Sequence, residues 1–488
     1  MKHNTIYKVR INHLMISLMV LMTLLLGSCK TVDNPNIVFI LVDDLGWKDL
    51  GCYGSEFYDT PNLDKLAARS VRFTNAYAAS PVCSPTRAAL MTGKHPARVN
   101  ITDWIPGMSI ARARDPKLIP PEDIHNLPLE EFTMAEAFRE NGYKTFFAGK
   151  WHLGETDGFW PEFQGFEINK GGVNWGAPRL NSEANGYYSP YNNPRLENGP
   201  DGEYLTNRLT DESLQFIESA GDAPFFLYLA FYTVHTPIMG CDEYDGFYQE
   251  KSLQLPGKGE MITREEHDTQ TRINQSNPKY AAMIRSLDAN VGRLLEKLEE
   301  NGQAENTIIV FTSDNGGLTS IPRGGPTAVV PLRAGKGWCY EGGIRVPLLI
   351  SYPGMQHAGE ICDVPAISMD YYPTLLELAG MDPDPGQHID GYSIVPFLEN
   401  PQVGASRILV WHFPHYHGSA WRPGSAIRDG NWKLIEFYEG NVVELYDLEN
   451  DMEEKVDLAE AMPEIAAKLR ARLHAELDEM GAHYPVPR

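Results

Sequence analysis

The chain has 488 residues, of which 65 are acidic and 42 are Lys or Arg, and its formal net charge is −23. Such an acidic chain is not drawn to nucleic acid or to anionic lipid by general electrostatics, and we expect no nucleic-acid partner. The length suits one large domain with a smaller companion, or two to three ordinary domains. An anionic ligand would need a local group of cations that overcomes the negative charge of the whole molecule.

Residues 1–28 are predicted to be a secretory signal. Lys2, Lys8 and Arg10 precede an apolar stretch at 14–26 that is too short for a confident membrane span. The stretch ends in Leu-Gly-Ser followed by Cys29, which resembles a bacterial lipobox with Cys29 as the lipidated residue. An ordinary signal peptide with an incidental Cys29 is the alternative. We therefore expect an exported protein, lipid-anchored in the bacterial envelope through Cys29 alone, in the periplasm or at the outer-membrane surface.

Export also permits disulfide bonds. If Cys29 is lipidated and Cys83 has a chemical role, four cysteines remain, and the sequence does not determine whether or how they pair: Cys52, Cys241, Cys339 and Cys362.

Apolar runs at 37–42, 225–231 and 307–312 predict buried strands, a further strand is predicted at 142–148, and each of the four is followed by polar side chains. Helical patterns at 134–140, 206–219 and 278–300 alternate with these runs, which predicts the α/β class: a large, mostly parallel sheet sandwiched by helices. The carboxyl ends of parallel strands lie at one edge of a sheet, where ligands bind. The polar side chains expected at that edge are Asp43 and Asp44 after 37–42, Lys150 and His152 after 142–148, His235 after 225–231, and Asp314 and Asn315 after 307–312.

The pattern changes near residue 405. Shorter alternating runs at 408–413, 432–437 and 443–447 predict a small antiparallel sheet, and 463–480 predicts a helix packed on it. We therefore expect a catalytic α/β domain over 29–400 and a C-terminal α+β subdomain over 401–488.

Residues 81–93, Pro-Val-Cys-Ser-Pro-Thr-Arg-Ala-Ala-Leu-Met-Thr-Gly, predict the start of a helix. Cys83 would lie at its positive end, and Arg87 one turn further on the same face. A cysteine in this position is often only a small buried apolar residue. Together with the arginine, the helix start indicates an ester of an oxyanion as substrate.

The run from Cys83 to Arg87 resembles the C-x-P-x-R signature of formylglycine-dependent sulfatases, an arylsulfatase-like family of the alkaline phosphatase-like superfamily. Further motifs stand in family order: Val42-Asp43-Asp44, Gly149-Lys150-Trp151-His152, His235-Thr236-Pro237, Asp314-Asn315-Gly316 and Gly335-Lys336-Gly337. The resemblance spans almost the whole chain after Asn36. It implies an alkaline phosphatase-like fold and the hydrolysis of sulfate monoesters.

The resemblance also implies the cofactors. Cys83 would be oxidised to formylglycine by a formylglycine-generating maturation enzyme, and the hydrated aldehyde would be the nucleophile. One Ca²⁺ would be held by the modified residue together with Asp43, Asp44, Asp314 and Asn315. Carboxylates and an amide suit this hard cation. Asn315 stands where the metal-dependent phosphatase relatives have a histidine, which favours sulfate as the substrate.

The family pattern assigns roles to the remaining site residues. Arg87, Lys150 and Lys336 would hold the sulfate oxygens. His235, together with Lys336, would protonate the departing oxygen, and His152 would take the proton from the second hydroxyl so that sulfate leaves and the aldehyde re-forms.

The expected substrate is a sulfated glycan saccharide, with exo-removal of sulfate from galactose or N-acetylgalactosamine. The long loop at 93–131 and the aromatic and basic residues elsewhere suggest sugar contacts: Asp103, Trp104, Trp175, His412, His415, His417 and Arg422. Two alternatives stay open at this stage. One is a phosphatase or phosphonate monoester hydrolase of the same superfamily, and the other is a non-catalytic sulfated-glycan-binding lipoprotein.

Overall fold

The computed structural model describes residues 34–488, of which Asn36–Arg488 form one compact unit. The predicted signal at 1–28 and the predicted lipidation site Cys29 lie outside the described residues. Within residues 34–488, no helix is both long enough and apolar enough to cross a membrane. The domain boundary near residue 400 stays a prediction.

The strands, in chain order, are β1 (Asn36–Val42), β2 (Val71–Phe73), β3 (Ala76–Tyr77), β4 (Leu118–Ile119), β5 (Lys144–Gly149), β6 (Ile168–Lys170), β7 (Phe225–Phe231), β8 (Thr263–Glu266), β9 (Thr269–Arg272), β10 (Thr307–Ser313), β11 (Leu348–Ser351), β12 (Ile361–Cys362), β13 (Ala366–Ile367), β14 (Ile408–Phe413), β15 (Gly424–Asp429), β16 (Trp432–Phe437), β17 (Val442–Asp447) and β18 (Val486–Pro487). The α-helices span Pro61–Ala68, Cys83–Thr92, Pro96–Val99, Met134–Glu140, Leu205–Ala220, Asp242–Leu253, Pro278–Glu300, Glu341–Ile344, Tyr371–Leu378, Val395–Glu399 and Pro463–Glu479.

An eight-stranded sheet forms the centre of the molecule, in the order β12-β2-β11-β10-β1-β7-β5-β6. The strands β10, β1, β7, β5 and β6 pair in parallel, whereas β11 is antiparallel to both of its neighbours. The predicted large, mostly parallel sheet is confirmed.

Helices cover both faces of this sheet, as the continuous apolar strands require. Successive residues of β1 enter opposite cores: Val38 and Ile40 pack on one side, and Ile37 and Phe39 on the other. The long helix Pro278–Glu300 belongs to the first side. Alternate side chains of a strand point to opposite faces, so one run of apolar residues serves both layers.

The C-terminal region forms an antiparallel sheet in the order β14-β15-β16-β17. Leu469, Leu473 and Leu477 of the helix Pro463–Glu479 pack on one of its faces. The other face contacts the segment around Trp338 and Tyr340. The smaller sheet with its helix is therefore confirmed, and it lies against the segment that carries Lys336.

Candidate active site

The carboxyl ends of β1, β5, β7 and β10 bring the predicted polar side chains together. The register of the parallel strands places Val42 beside Phe231 and Ser313, so the residues that follow them converge. The helix Cys83–Thr92 begins at this edge, with Cys83 as its first residue. The convergence expected from the sequence is what the structure shows.

A buried cluster of acids and bases surrounds Cys83. Lys150 Nζ donates to Asp43 Oδ2 at 2.7 Å, and Lys336 Nζ donates to Asp44 Oδ1 at 2.5 Å. Lys336 Nζ also lies 4.0 Å from Cys83 Sγ. These two ion pairs, and a third between Arg87 and Asp314, stabilise charged groups that burial alone would penalise.

Arg87 connects the helix Cys83–Thr92 to residues that follow the strands β5 and β10. Its Nε donates to Asp314 Oδ2 at 2.9 Å, Nη1 donates to the Lys150 carbonyl at 2.5 Å, and Nη2 lies 2.7 Å from Asp314 Oδ2 as an ion pair. Burial raises the pKa of Asp314, but the Arg87 guanidinium and Lys150 outweigh it and lower this pKa overall. Asp314 is therefore ionised, and Arg87 is held rigidly beside Cys83.

Three buried oxygens at this edge have no hydrogen-bond partner: Asp43 Oδ1, Asp44 Oδ2 and Asn315 Oδ1. Burying an acceptor without a hydrogen-bond partner costs free energy, so these atoms are candidate ligands for a cation. Ligand atoms of Asp43, Cys83 and Asp314 also lie within 4.8 Å of one another. The donors are mostly hard oxygens, which fits Ca²⁺ better than a soft or nitrogen-seeking metal.

The cluster contains as many acids as bases. Asp43, Asp44 and Asp314 pair with Lys150, Lys336 and Arg87, and although burial raises the pKa of Asp43, a bound cation would favour its ionised form. A divalent cation would leave the cluster with two positive charges, enough to hold an anion in a protein whose net charge is −23.

Two histidines lie at the cleft with defined hydrogen bonds. His152 Nε2 lies 2.6 Å from the Ile105 carbonyl, and His235 Nδ1 lies 2.7 Å from the Thr236 carbonyl. These carbonyls only accept, so the bonded nitrogens carry hydrogen, and His152 Nδ1 and His235 Nε2 are left as bases. Burial and the positive charge of Lys336 lower the pKa of His235 to about 3.

Cys83 itself is poorly suited to act as a thiolate. Burial raises the pKa of this thiol, although Lys150 and Lys336 oppose the shift. A protonated thiol is a weak nucleophile. Position 83 is thus surrounded by groups that can bind an anion. The unmodified thiol is too weak a nucleophile to attack an anion bound there.

The cluster forms the floor of a cavity of about 280 Å³. Its wall comes from several loops and includes Cys83, Trp104, Ile105, Pro106, His152, Asn174, Gly176, Ala177, His235, Arg323, Lys336 and His417.

Comparison with known proteins decides the family. The sulfatase family model matches residues 35–381, and a second model, described as N-sulphoglucosamine sulphohydrolase, C-terminal, matches 334–482. The chain belongs to the sulfatase family. It is a sulfuric ester hydrolase with an alkaline phosphatase-like fold.

Individual relatives span most of the chain. A sulfatase of Formosa agariphila is 33% identical over 93% of this chain and 91% of its own. Human N-acetylgalactosamine-6-sulfatase is 33% identical over 76% of this chain and 67% of its own. The crystal structure of Ps i-CgsB in complex with k-i-k-neocarrahexaose is 30% identical, with a TM-score of 0.71, and covers 91% of this chain and 93% of its own.

The structure divides the residues that were predicted to contact the sugar. Trp104 and His417 line the cavity of this sulfatase. Arg422 lies in a second cavity next to it, where its guanidinium pairs with Asp268 and Glu439.

Four of the predicted contacts lie elsewhere. Trp175 is in the core, with the Arg179 guanidinium 4.1 Å from its ring centre. His412 is buried between Ser425 Oγ and the His483 carbonyl, at 2.7 and 2.9 Å. The aromatic and basic character of these two residues suggested sugar contacts, but both are buried beneath the surface, so direct sugar contact by Trp175 and His412 is not supported.

Asp103 and His415 lie behind the wall of the cavity. Asp103 Oδ1 accepts from the Trp104 amide at 2.8 Å, and His415 Nε2 lies 2.8 Å from Thr102 Oγ1. Both residues are buried and hold the loop that carries Trp104. They position the wall rather than contact a ligand.

Sequence reasoning missed Arg323 in the cavity wall. It lies in the short 3-10 helix Ile321–Arg323, inside a stretch rich in glycine and proline with no strand pattern before it. No local signal places such a loop, because its position depends on the fold around it. Only its positive charge, in a strongly acidic chain, could have drawn attention to it.

Within residues 34–488 all five cysteines are free: Cys52, Cys83, Cys241, Cys339 and Cys362. The sequence left their pairing open, and the structure of this region contains no disulfide bond.

Proposed function

We propose that this sulfatase removes O-sulfate from a terminal sugar of a sulfated saccharide, using formylglycine at position 83 and one Ca²⁺. The observation that carries the proposal is the arrangement in the buried cluster around Cys83: three oxygens without a hydrogen-bond partner, together with Lys336 Nζ at 4.0 Å from Cys83 Sγ. This arrangement supplies a cation site and an anion site around a single side chain.

The residues of the cluster fit both proposed cofactors. Ca²⁺ would be held by Asp43, Asp44, Asp314 and Asn315, and it would polarise the substrate and the nucleophile as a Lewis acid. The aldehyde made from Cys83 by a maturation enzyme would supply, as its hydrate, an oxygen nucleophile that the thiol cannot provide.

The protein's own cations bind the ester. Lys336 lies beside position 83, and Lys150 and Arg87 complete the positive side of the cluster. Their carboxylate partners fix all three side chains before substrate arrives, so they stabilise developing charge without reorganising.

The groups that could transfer protons all line the cavity: Lys336, His235 and His152. Lys336 remains protonated, because the Asp44 carboxylate raises its pKa in spite of burial. It holds a proton at Nζ for the departing oxygen, and His235 lies within the same cavity. His152 Nδ1 is buried and has no hydrogen-bond partner, so it is free to take a proton from position 83.

The cavity supports a small terminal group as substrate. Its volume of about 280 Å³ suits one sugar ring with its sulfate. One relative is named an N-acetylgalactosamine-6-sulfatase, which supports a galactosamine sugar, and one solved structure holds a neocarrahexaose, which supports a saccharide substrate. We infer exo-action on a sulfated galactose or N-acetylgalactosamine.

Export is part of the proposal. The predicted signal at 1–28 and lipidation of Cys29 would place the enzyme in the bacterial envelope, where a glycan-degrading hydrolase meets its substrate. Labelling cells with a radioactive fatty acid, in wild type and in the Cys29→Ala variant, tests the anchor. Label in both proteins or in neither contradicts it.

A panel of sulfated monosaccharides and disaccharides tests the substrate. We expect sulfate release from galactose or N-acetylgalactosamine sulfates, and loss of this release in Cys83→Ala. Release from glucosamine sulfates alone would overturn the sugar assignment, and release from none of the panel would overturn the saccharide proposal.

Mass spectrometry of the peptide that contains residue 83 tests the modification. Conversion of cysteine to formylglycine lowers the mass by ~18 Da, since CH₂SH becomes CHO. An intact thiol in protein purified from its native host would contradict the proposed nucleophile, and without turnover it would favour the alternative of a binding protein.

A further inference from the structure

A second cavity adjoins the active site of this sulfatase. It has a volume of about 230 Å³ and shares His417 with the catalytic cavity. Pro322 lines the second cavity and its neighbour Arg323 lines the first. The two spaces are therefore separated only by a ridge made of the segment 322–323 and the loop around His417.

The side chain of Arg323 packs closely against Gly418. A Cβ at Gly418 would come within 3.0 Å of Arg323 Nη1 and 3.1 Å of its Cδ. The guanidinium therefore lies directly over the backbone of Gly418. Its charge also contributes to lowering the pKa of His417, after burial. Arg323 is close enough to the active cavity to act on a ligand there.

The second cavity carries an excess of positive charge. Arg112, Arg114 and Arg422 line it, and Asp268 is the acid that lines it. Arg422 is neutralised, since its guanidinium pairs with Asp268 at 2.6 Å and with a glutamate at 2.7 Å. Within residues 34–488, the side chains of Arg112, Arg114 and Arg323 make no hydrogen bond and no ion pair.

Within the part of the chain that the structure describes, Arg112, Arg114 and Arg323 place three unpaired positive charges around the two cavities. The net charge of the chain is −23, and other arginines, such as Arg98, Arg195 and Arg333, pair with carboxylates. Arginine binds sulfate and carboxylate oxygens through paired N–H donors. The local field around this cavity opposes that of the whole protein and would attract an anion to this side of the active site.

The floor of the second cavity suits a sugar ring. Met108, Ala113, Ala420 and Trp421 give it apolar surface between the arginines. Apolar surface with a few polar groups at the rim is the common composition of a site for a small organic ligand.

We propose that this second cavity is a subsite for the sugar next to the one that loses sulfate, and that Arg112 and Arg114 bind a second anionic group on that neighbouring sugar, a sulfate or a carboxylate. The inference rests on the proposed function and narrows the substrate to an oligosaccharide with anionic groups on adjacent rings. Arg323, between the two cavities, contacts the linkage or either anion.

The test compares two substrates that differ by one sulfate. It takes the sulfated sugar that is hydrolysed fastest in the panel above and links to it a neighbouring ring, with or without its own sulfate. We expect wild type to prefer the disulfated compound by about tenfold in kcat/KM, the size expected of two exposed charge pairs. Raising the salt concentration should reduce this preference, because exposed charges are screened.

Variants assign the preference to the arginines. In the double variant Arg112→Ala/Arg114→Ala we expect the preference to fall to about twofold or less, and in Arg112→Lys/Arg114→Lys to stay near that of wild type. Arg139→Ala, a change at an exposed arginine of the helix Met134–Glu140 that lines neither cavity, is the matched control and should keep the full preference. Remaining turnover of the monosulfated compound shows that a variant has folded.

The outcomes separate this inference from the proposed function. Equal kcat/KM for both compounds in wild type, or a preference that survives Arg112→Ala/Arg114→Ala, overturns the subsite. Failure to hydrolyse any sulfated saccharide overturns the proposed function instead. A preference for a neighbouring uronic acid over a neighbouring sulfate would support the subsite and identify the carboxylate as its ligand.

Discussion

Lys336 Nζ lies 4.0 Å from Cys83 Sγ and is held there by its ion pair with Asp44. The ammonium group thus lies beside the side chain that we propose becomes the nucleophile. Burial without that carboxylate would cost the lysine its charge, so the pair keeps a proton at the reacting position.

Replacing Lys336 should strongly reduce catalytic activity. We expect Lys336→Ala to lower kcat/KM by about 10²-fold or more, because both charge stabilisation and the proton donor are lost. Lys144→Ala, a change at an exposed lysine at the start of β5, should leave it unaltered. Steady-state kinetics with an aryl sulfate measures both, and near-normal turnover in Lys336→Ala would refute the role of this residue.

Calcium removal should destabilise the protein. A cation bound by Asp43, Asp44, Asp314 and Asn315 relieves the unpaired oxygens, and at 100 times its Kd it adds ~2.7 kcal/mol to the free energy of unfolding. Thermal unfolding with a chelator, and after Ca²⁺ is returned, checks this. The Ca²⁺ shift should vanish in Asp44→Ala and persist in Asp59→Ala. Stabilisation by Zn²⁺ but not by Ca²⁺ would contradict the assignment of the ion.

The position of the His152 ring depends on Gly176. A Cβ at this glycine would come within 2.7 Å of His152 Cε1 and 2.8 Å of Nε2. We expect Gly176→Ala to displace the ring from its bond to the Ile105 carbonyl and to lower kcat by about tenfold, with a smaller change in KM. Gly158→Ala is the control, since nothing lies within 4 Å of its Cβ. Unchanged kcat in Gly176→Ala would show that His152 needs no such positioning.

Asp103 should make stability depend on pH. Burial raises its pKa to about 8, and the neighbouring Asp123 adds to the shift. Between its ordinary pKa and the raised one, the folded protein holds a proton that the unfolded chain releases. The free energy of unfolding therefore falls as pH rises through this interval, by up to ~1.4 kcal/mol per pH unit from this group.

Asp103→Asn cannot release this proton. We expect the stability of the variant, followed by urea unfolding, to fall less between pH 5 and pH 8 than that of wild type. Asp115→Asn changes an exposed aspartate whose pKa is lowered by Lys117, and it should keep the wild-type slope over the same interval. If the free energy of unfolding fell equally with pH in wild type and in Asp103→Asn, the role of Asp103 in this pH dependence would be contradicted.

Sequence patterns predicted most of the fold because the buried strands and helices have clear apolar patterns. The strands β1, β7 and β10 are continuous apolar runs, and the helix Pro278–Glu300 has the predicted bounds. β15 was not predicted, because Gly424–Asp429 contains glycine, serine and charged residues. It is a strand only because it pairs with β14 on one side and β16 on the other.

The centre of the site could be predicted for a similar reason. Asp43, Lys150, His235 and Asp314 each follow a strand of one parallel sheet, so topology alone brings them together. The walls could not be predicted in this way. His412 and His417 belong to one short segment, yet one is buried against Ser425 and the other lines the cavity. Which side of a loop faces a cavity depends on tertiary packing, which sequence spacing does not encode.

The most direct test compares kcat/KM for 4-nitrophenyl sulfate and 4-nitrophenyl phosphate, with protein produced alongside a formylglycine-generating enzyme. We predict preference for the sulfate ester, loss of this activity in Cys83→Ala, and its retention in Cys52→Ala, a matched change at a free cysteine outside the cavity. Preference for the phosphate ester, or sulfate turnover that survives Cys83→Ala, would contradict sulfate hydrolysis at position 83.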